Sequence, residues 1–151
     1  MKRNFTRLFA GIVIICMLVT ATLTFEVGAA TNSAISASTG TAECSSSVNV
    51  VISLDNNPGI WSMGFNVGYD HAALTLTGVT VGDIFTSEEV TPPPSLDKET
   101  YLFLASRSSL TDTTANGTLV TLTFSVAANA AFQDYPIVLD LSSKNTINKN
   151  Q

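Results

Sequence analysis

In several segments between residues 48 and 141 the apolar side chains recur at every second position, a spacing that suits β-strands and not amphipathic helices. Val48, Val50, Ile52 and Leu54 alternate with Asn49, Val51, Ser53 and Asp55, giving an extended segment one apolar and one polar face. Asn56-Asn57-Pro58-Gly59 ends it as a turn. Met63, Phe65, Val67 and Tyr69 then alternate with Ser62, Gly64, Asn66 and Gly68, whose side chains are unusually small. Leu74, Leu76 and Val79, broken by Thr75, Thr77 and Gly78, predict another strand running toward Gly82-Asp83. Pro92-Pro93-Pro94 cannot donate to a ladder and marks a loop or an edge.

Residues 101–105 are apolar at every position, which predicts a strand with one face in the core and the other covered or exposed for binding. Asn116-Gly117 supplies a turn before Leu119, Thr121, Thr123 and Ser125 interleave with Val120, Leu122, Phe124 and Val126. A last apolar strand is expected at 135–141. No ten-residue stretch carries helical spacing with capping signals, so the fold class is all-β, a sandwich of short strands.

The N-terminus reads differently. Lys2, Arg3 and Arg7 precede an apolar run from Leu8 to Val19, and Val27-Gly28-Ala29-Ala30 follows, the layout of a secretory signal peptide over residues 1–30 cleaved after Ala29 or Ala30. The run is short for a bilayer span and is followed by Thr20, Thr22 and Thr24, so no membrane association is expected after its removal. Cys16 follows Ile15, where a lipoprotein site takes a small residue. The expected location is secreted, extracellular or associated with the cell surface.

The remaining part, roughly 121 residues, suits one domain. Its four basic side chains, Lys98, Arg107, Lys144 and Lys149, stand against eleven carboxylates, a formal charge of −7 that argues against a nucleic-acid partner. Cys44 is alone, so packing must hold the fold without an internal disulfide. Residues 31–47, rich in Ser, Thr, Ala and Gly, read as a flexible leader with a possible first strand near 34–38. Residues 48–141 form the sandwich, and 142–151 a polar tail with no alternation left for a further strand.

Reactive groups are few. His71 is the only histidine and sits in a turn after Tyr69-Asp70, which suits a surface loop better than a base. Glu88-Glu89 could suggest a glycosidase pair, but neighbours on a strand point to opposite faces, and a solvated loop is the expected setting. Asp55, Asp70 and Asp83 show no calcium-loop spacing and read as turn formers. Trp61 is expected to pack over the end of the sandwich, with sugar stacking as the other reading. Asn116-Gly117-Thr118 fits a glycosylation pattern but is first a turn. An enzyme is not expected.

Three segments carry a resemblance to a known family. Asn57-Pro58-Gly59-Ile60 leads into Gly64-Phe65-Asn66-Val67-Gly68-Tyr69-Asp70; Leu74-Thr75-Leu76 runs through Val81-Gly82-Asp83-Ile84-Phe85; and residues 116–124 are followed by Tyr135-Pro136-Ile137. In this order, over about 48–141, the chain resembles the cohesin domains of bacterial cellulosome scaffolding proteins. The resemblance implies a jelly-roll β-sandwich of about eight to nine strands, whose dockerin-binding face comes from the third, fifth, sixth and eighth strands. Here these correspond to 62–69, a piece near 88–91, 101–106 and 136–141.

By that resemblance the chain is a non-catalytic module that recruits dockerin-bearing carbohydrate-active enzymes into a cellulosome-type complex. It needs no cofactor, and calcium is expected on the dockerin partner. Family members often carry a polar or acidic residue where this chain has Gly64, and an acidic one where it has Ser106, so dockerin specificity does not carry over. The family's last strand pairs beside its first, and its absence after Leu141 would leave an open edge and reduced stability. The expected interaction surface is Ser62, Gly64, Asn66 and Gly68 as a flat floor, Tyr101 or Phe103 as the apolar anchor, and Ser106, Arg107 and Ser108 at the rim. The alternative is a carbohydrate-binding module of the β-sandwich class, attaching to plant cell-wall polysaccharide through Trp61 and nearby tyrosines.

Overall fold

The computed structural model describes residues 16–17, 22–25, 33–96 and 98–141, and these form strands without a helix. The cleavage region at 27–30 and the tail from 142 lie outside the described residues. In chain order the strands are β1 (Cys16–Met17), β2 (Thr22–Phe25), β3 (Ser33–Ala37), β4 (Thr41–Ala42), β5 (Ser47–Asp55), β6 (Ser62–Gly68), β7 (Leu74–Val81), β8 (Thr100–Ser106), β9 (Gly117–Val126) and β10 (Val138–Asp140). Eight of them, β3 to β10, fall within residues 33–141, in line with the eight to nine expected for the sandwich.

Two sheets make the layers. One has five strands in the order β2-β3-β5-β9-β7, the other three in the order β10-β6-β8, and β1 pairs with β4 in a separate two-stranded piece. The period-two pattern decides the packing. Val48, Val50, Ile52 and Leu54 of β5 and Leu122, Phe124 and Val126 of β9 are buried on one side of the sandwich. Met63, Phe65 and Val67 of β6 and Leu139 of β10 are buried on the other. Phe65 stacks on Phe103 with ring centroids 4.9 Å apart, and Tyr69 meets Phe124 edge-on at 4.8 Å. Each fully buried aliphatic or aromatic side chain contributes about 1.5–3 kcal/mol from water exclusion, and this core has no disulfide to supplement it.

Two bulges break the alternation. Between β5 and β9 the register shifts at Ile52/Ser53, where Leu119 has no partner, and this turns Leu119 inward beside Val120 although the sequence pattern grouped it with the polar set. Between β7 and β9 the shift falls at Leu76/Gly78, and the extra residue, Thr77, donates its hydroxyl to the Thr123 carbonyl at 3.1 Å. The last strand is shorter than the expected 135–141 because Pro136 has no N–H to offer the ladder.

The turns follow their residues. Gly59 has φ +109°, a left-handed conformation that suits glycine. The Asn57 side chain donates to the Thr113 and Ala115 carbonyls at 3.0 and 2.8 Å, pinning the loop before β9 to the turn before β6. At Gly82 a Cβ would fall 2.1 Å from the Thr118 carbonyl oxygen, so only glycine fits this corner.

Residues 33–37, in the stretch read as a leader with a possible strand, lie in the sheet with Ile35 and Ala37 in the core. Outside them β2, which falls within the segment expected to be a signal peptide, pairs antiparallel along β3. Among the described residues no helix is long and apolar enough to cross a membrane.

Candidate protein-docking face

The inner side of the three-stranded sheet is core, and its outer side is open. Directly opposed residues on antiparallel strands share a face, so the register defines that surface. Ser62 lies opposite Ser106, Gly64 opposite Leu104, Asn66 opposite Leu102 and Gly68 opposite Thr100. On the other flank Asn66 faces Asp140 and Gly68 faces Val138. The floor is thus the small-residue face of β6, flanked by Leu102, Leu104 and Val138, exposed at 44%, 38% and 53%.

Tyr101 and Phe103, expected as the outward apolar anchors, are in the core at 2% and 0% exposure. The parity of β8 is the reverse of that expectation. Phe103 packs on Phe65 and lies 6.4 Å from Phe85, whereas Leu102 and Leu104 share their face with Thr100 and Ser106. The polar ends of the strand, Thr100 and Ser106, are the sequence signal that marks the outward face. Inside, the Tyr101 hydroxyl has no hydrogen-bond partner, and burial pushes its pKa up to about 12.

The piece near 88–91 joins this sheet through a single bridge, Val90 with Ala105. Ser106 N–H donates to the Glu89 carbonyl and Thr91 N–H to the Leu104 carbonyl, each at 2.8 Å. Pairing then stops, because Pro92, Pro93 and Pro94 have no N–H. The chain turns away and leaves an apolar cleft of about 280 Å³ lined by Pro92, Pro94, Leu96, Leu102 and Leu104. A more open hollow of about 270 Å³ lies beyond, lined by Trp61, Ser62, Gly64, Thr91, Leu104 and Ser106. Thr91 and Leu104 line both.

Glu89 departs from the solvated loop expected of the acidic pair: Glu88 is exposed, but Glu89 is buried at 6%. Its carboxylate accepts from Ser108 N–H at 2.8 Å, Ser108 hydroxyl at 2.9 Å, Thr86 N–H at 3.1 Å and Arg107 Nη1 at 3.4 Å. The Ser108 amide, more than the other donors, holds the Glu89 pKa below the usual carboxylate value against the opposing effect of burial. The expected rim residues Arg107 and Ser108 are therefore tied inward to Glu89, with Arg107 half-buried and its N–H donated to the Trp61 carbonyl at 2.8 Å. Ser106 and Ser108 are both exposed, and Ser106 shares the outer face of β8 with Leu102 and Leu104.

Among the described residues Trp61 and the tyrosines do not form a platform. Trp61 is half-buried and its indole N–H donates to the Ser109 carbonyl at 2.8 Å. Tyr135 is buried with its hydroxyl on the Ala131 carbonyl, and Tyr69 is half-buried with its hydroxyl on the Lys98 carbonyl. His71 is exposed beside Tyr69, ring centroids 6.5 Å apart. Among the described residues no group of three or more His, Cys, Asp or Glu side chains is placed to hold a metal.

The sequence pattern of the cohesin domain matches residues 31–149. The chain belongs to the cohesin family. Among solved structures, the seventh ScaB type I cohesin of Pseudobacteroides cellulosolvens is 28% identical, with a TM-score of 0.61 over 70% of this chain and 77% of that one. The third ScaC cohesin of Acetivibrio cellulolyticus, determined in complex with the ScaB dockerin, is 18% identical, with a TM-score of 0.61 over 70% of this chain and 77% of its own. A type I cohesin–dockerin complex of Clostridium thermocellum containing the OlpA cohesin matches at 20% identity and TM-score 0.58, over 72% and 86%. The last two similarities are of fold. No curated protein sequence matches at a significant level. Cohesin membership accounts for the two-sheet sandwich and for the Gly82-Asp83-Ile84-Phe85 corner, in which Ile84 and Phe85 are buried at 3% and 2%.

Proposed function

We propose that this cohesin is a non-catalytic docking module. Its open β10-β6-β8 face receives the dockerin of a secreted carbohydrate-active enzyme and so recruits that enzyme into a cellulosome-type complex. The observation that carries this reading is an outward sheet face whose floor is half-buried Ser62, Asn66 and Gly68 with Gly64 buried between them, and exposed Leu102, Leu104 and Val138 around it. A flat, small-residue floor lets a partner helix approach the backbone closely, and flanking apolar side chains supply the desolvated anchors that dominate interface energies. A standard interface buries on the order of 1,600 Å² in total, a footprint that spans a face of this kind and the two hollows beside Leu104.

The revised interaction set is therefore Ser62, Gly64, Asn66, Gly68, Leu102, Leu104, Ser106 and Val138, with Arg107 and Ser108 as supports. Lys2, Arg3 and Arg7, the apolar run to Val19 and the small residues at 27–30 support export through a cleaved signal peptide and an extracellular or cell-surface location. Calcium, in this reading, belongs to the dockerin. A polysaccharide-binding role is less well supported, because Trp61 and all three tyrosines are wholly or partly buried and their polar atoms are largely engaged within the chain.

The test is affinity capture against a panel of dockerins. Leu104→Ala should weaken Kd about 30-fold, the equivalent of about 2 kcal/mol at a central anchor, and Asn66→Arg should abolish capture. Full retention by both variants, or retention of the wild type on cellulose with no dockerin bound, would place the function elsewhere.

A further inference from the structure

Strand β8 closes one side of the three-stranded sheet, in the order β10-β6-β8. Thr91 N–H donates to the Leu104 carbonyl and Ser106 N–H to the Glu89 carbonyl, so Leu104 and Ser106 turn these peptide groups away from β6. Pairing of β8 with β6 runs from Ser106 to Thr100 without a bulge, and the same parity therefore sends the N–H and C=O of Leu102 outward. Continuing the register of the Val90–Ala105 bridge sets Pro93 opposite Leu102, and proline has no N–H to give. Among the described residues none bonds to Leu102 on that side. Edges that face water are normally blunted by charge, proline or a bulge, and residues 100–106 contain none of these. The three prolines stand on the neighbouring segment, where they end the existing pairing and leave the donor and acceptor of β8 in place.

Beside this edge lies the apolar cleft of about 280 Å³, lined by Leu76, Pro94, Leu96, Leu102 and Leu104. Sites for whole small molecules run to about 300–1,000 Å³, so a cleft of this size suits one large apolar side chain instead. Lys98 also lines it. Arg107, the other basic side chain among the described residues, is tied to Glu89, and Glu99 lines the separate hollow at Gly68 and His71.

We infer that the outer edge of β8 at Leu102 is a peptide-binding site for an extended segment of a partner protein. The segment pairs through its main chain with the Leu102 N–H and C=O, seats one large apolar side chain in the cleft, and carries a carboxylate beside Lys98. Main-chain bonds then supply affinity and the pocket supplies selectivity, as when a peptide joins a sheet as an added strand. The site adjoins the dockerin face through Leu102 and Leu104 but does not rest on that reading.

The probe is the acetylated hexapeptide Thr-Leu-Thr-Leu-Thr-Asp, titrated into the full chain and followed by backbone NMR. Shifts should centre on residues 91–104 with a Kd of about 1 mM or tighter, and exchange of the Leu102 amide should slow by about ten-fold or more. N-methylation of both leucines keeps their side chains, removes their N–H groups and should weaken binding about ten-fold. Lys98→Glu should weaken it about three-fold, and a probe ending in Lys should recover that loss.

No shift at 91–104, an N-methylated probe that binds as well as its parent, or a Leu102 amide already protected in the free monomer would overturn the site. A free dimer with that amide protected would overturn it too, because a second copy would then be the occupant. Unchanged binding by Lys98→Glu would refute the carboxylate beside Lys98. Dockerin capture on the same samples separates the two proposals: its loss with probe binding intact counts against the β10-β6-β8 face alone, and the converse counts against the β8 edge alone.

Discussion

Glu89→Gln would remove a charge from a carboxylate beside the three-stranded sheet on which four donors converge. Ser108 N–H, Ser108 hydroxyl, Thr86 N–H and Arg107 Nη1 all point at this carboxylate, and each of its two oxygens accepts from at least one backbone N–H. A glutamine keeps the shape but must turn its own NH₂ toward a donor, whichever way the amide is flipped. Hydrogen bonds to a charged group contribute about 1.5–3 kcal/mol each, and one or two of the four would be lost or weakened, so a destabilisation of about 2 kcal/mol is expected. For a domain of this size that corresponds to roughly 8 °C in Tm, measurable by calorimetry or by Trp61 fluorescence.

The pH dependence carries a second signature. The Glu89 pKa is lowered on folding, so its contribution is fully present above the ordinary carboxylate value of 4.5 and is lost as pH falls through the lower folded value. The Tm gap between wild type and Glu89→Gln should therefore be full at pH 7 and shrink at acid pH. A gap below about 2 °C at pH 7, or one that does not narrow in acid, would refute the view that this charge organises the rim.

Tyr101→Phe removes a buried hydroxyl with no partner, so stability should be unchanged or rise by about 1 kcal/mol, with dockerin capture unaltered; loss of capture would return Tyr101 to the interface. Gly82→Ala sets a Cβ against the Thr118 carbonyl at 2.1 Å and should cost about 3 kcal/mol or more, read as a fall in Tm or in soluble yield. Removing calcium with a chelator should abolish dockerin capture while leaving the Tm of this cohesin within about 1 °C, whereas a large fall in its Tm would mean that this chain holds the metal.

Much of the site was legible in the chain of residues because a strand has a period of two. Met63, Phe65 and Val67 had to face one way and Ser62, Gly64, Asn66 and Gly68 the other, and the register of β6 with β8 carries that parity across the sheet. Strand β8 defeated the same reasoning, since residues 101–105 are apolar on both faces and local pattern cannot choose between them. Stacking of Phe103 on Phe65 chose, sending Leu102 and Leu104 outward. Glu89 was illegible for a different reason: its donors come from positions 86, 107 and 108, and only the fold brings them within about 3 Å of one carboxylate.

The residues alone determined that the chain is an all-β sandwich, where most of its strands run, and that β6 offers a small-residue floor, because alternation, prolines and turn glycines act over a few positions. Which face of β8 points outward, where the bulges turn Leu119 inward, and that Thr22–Phe25 lies along β3 were decided by tertiary structure. Those outcomes depend on register and packing between segments distant along the chain, and such energies are set only when the two sheets close over a common core.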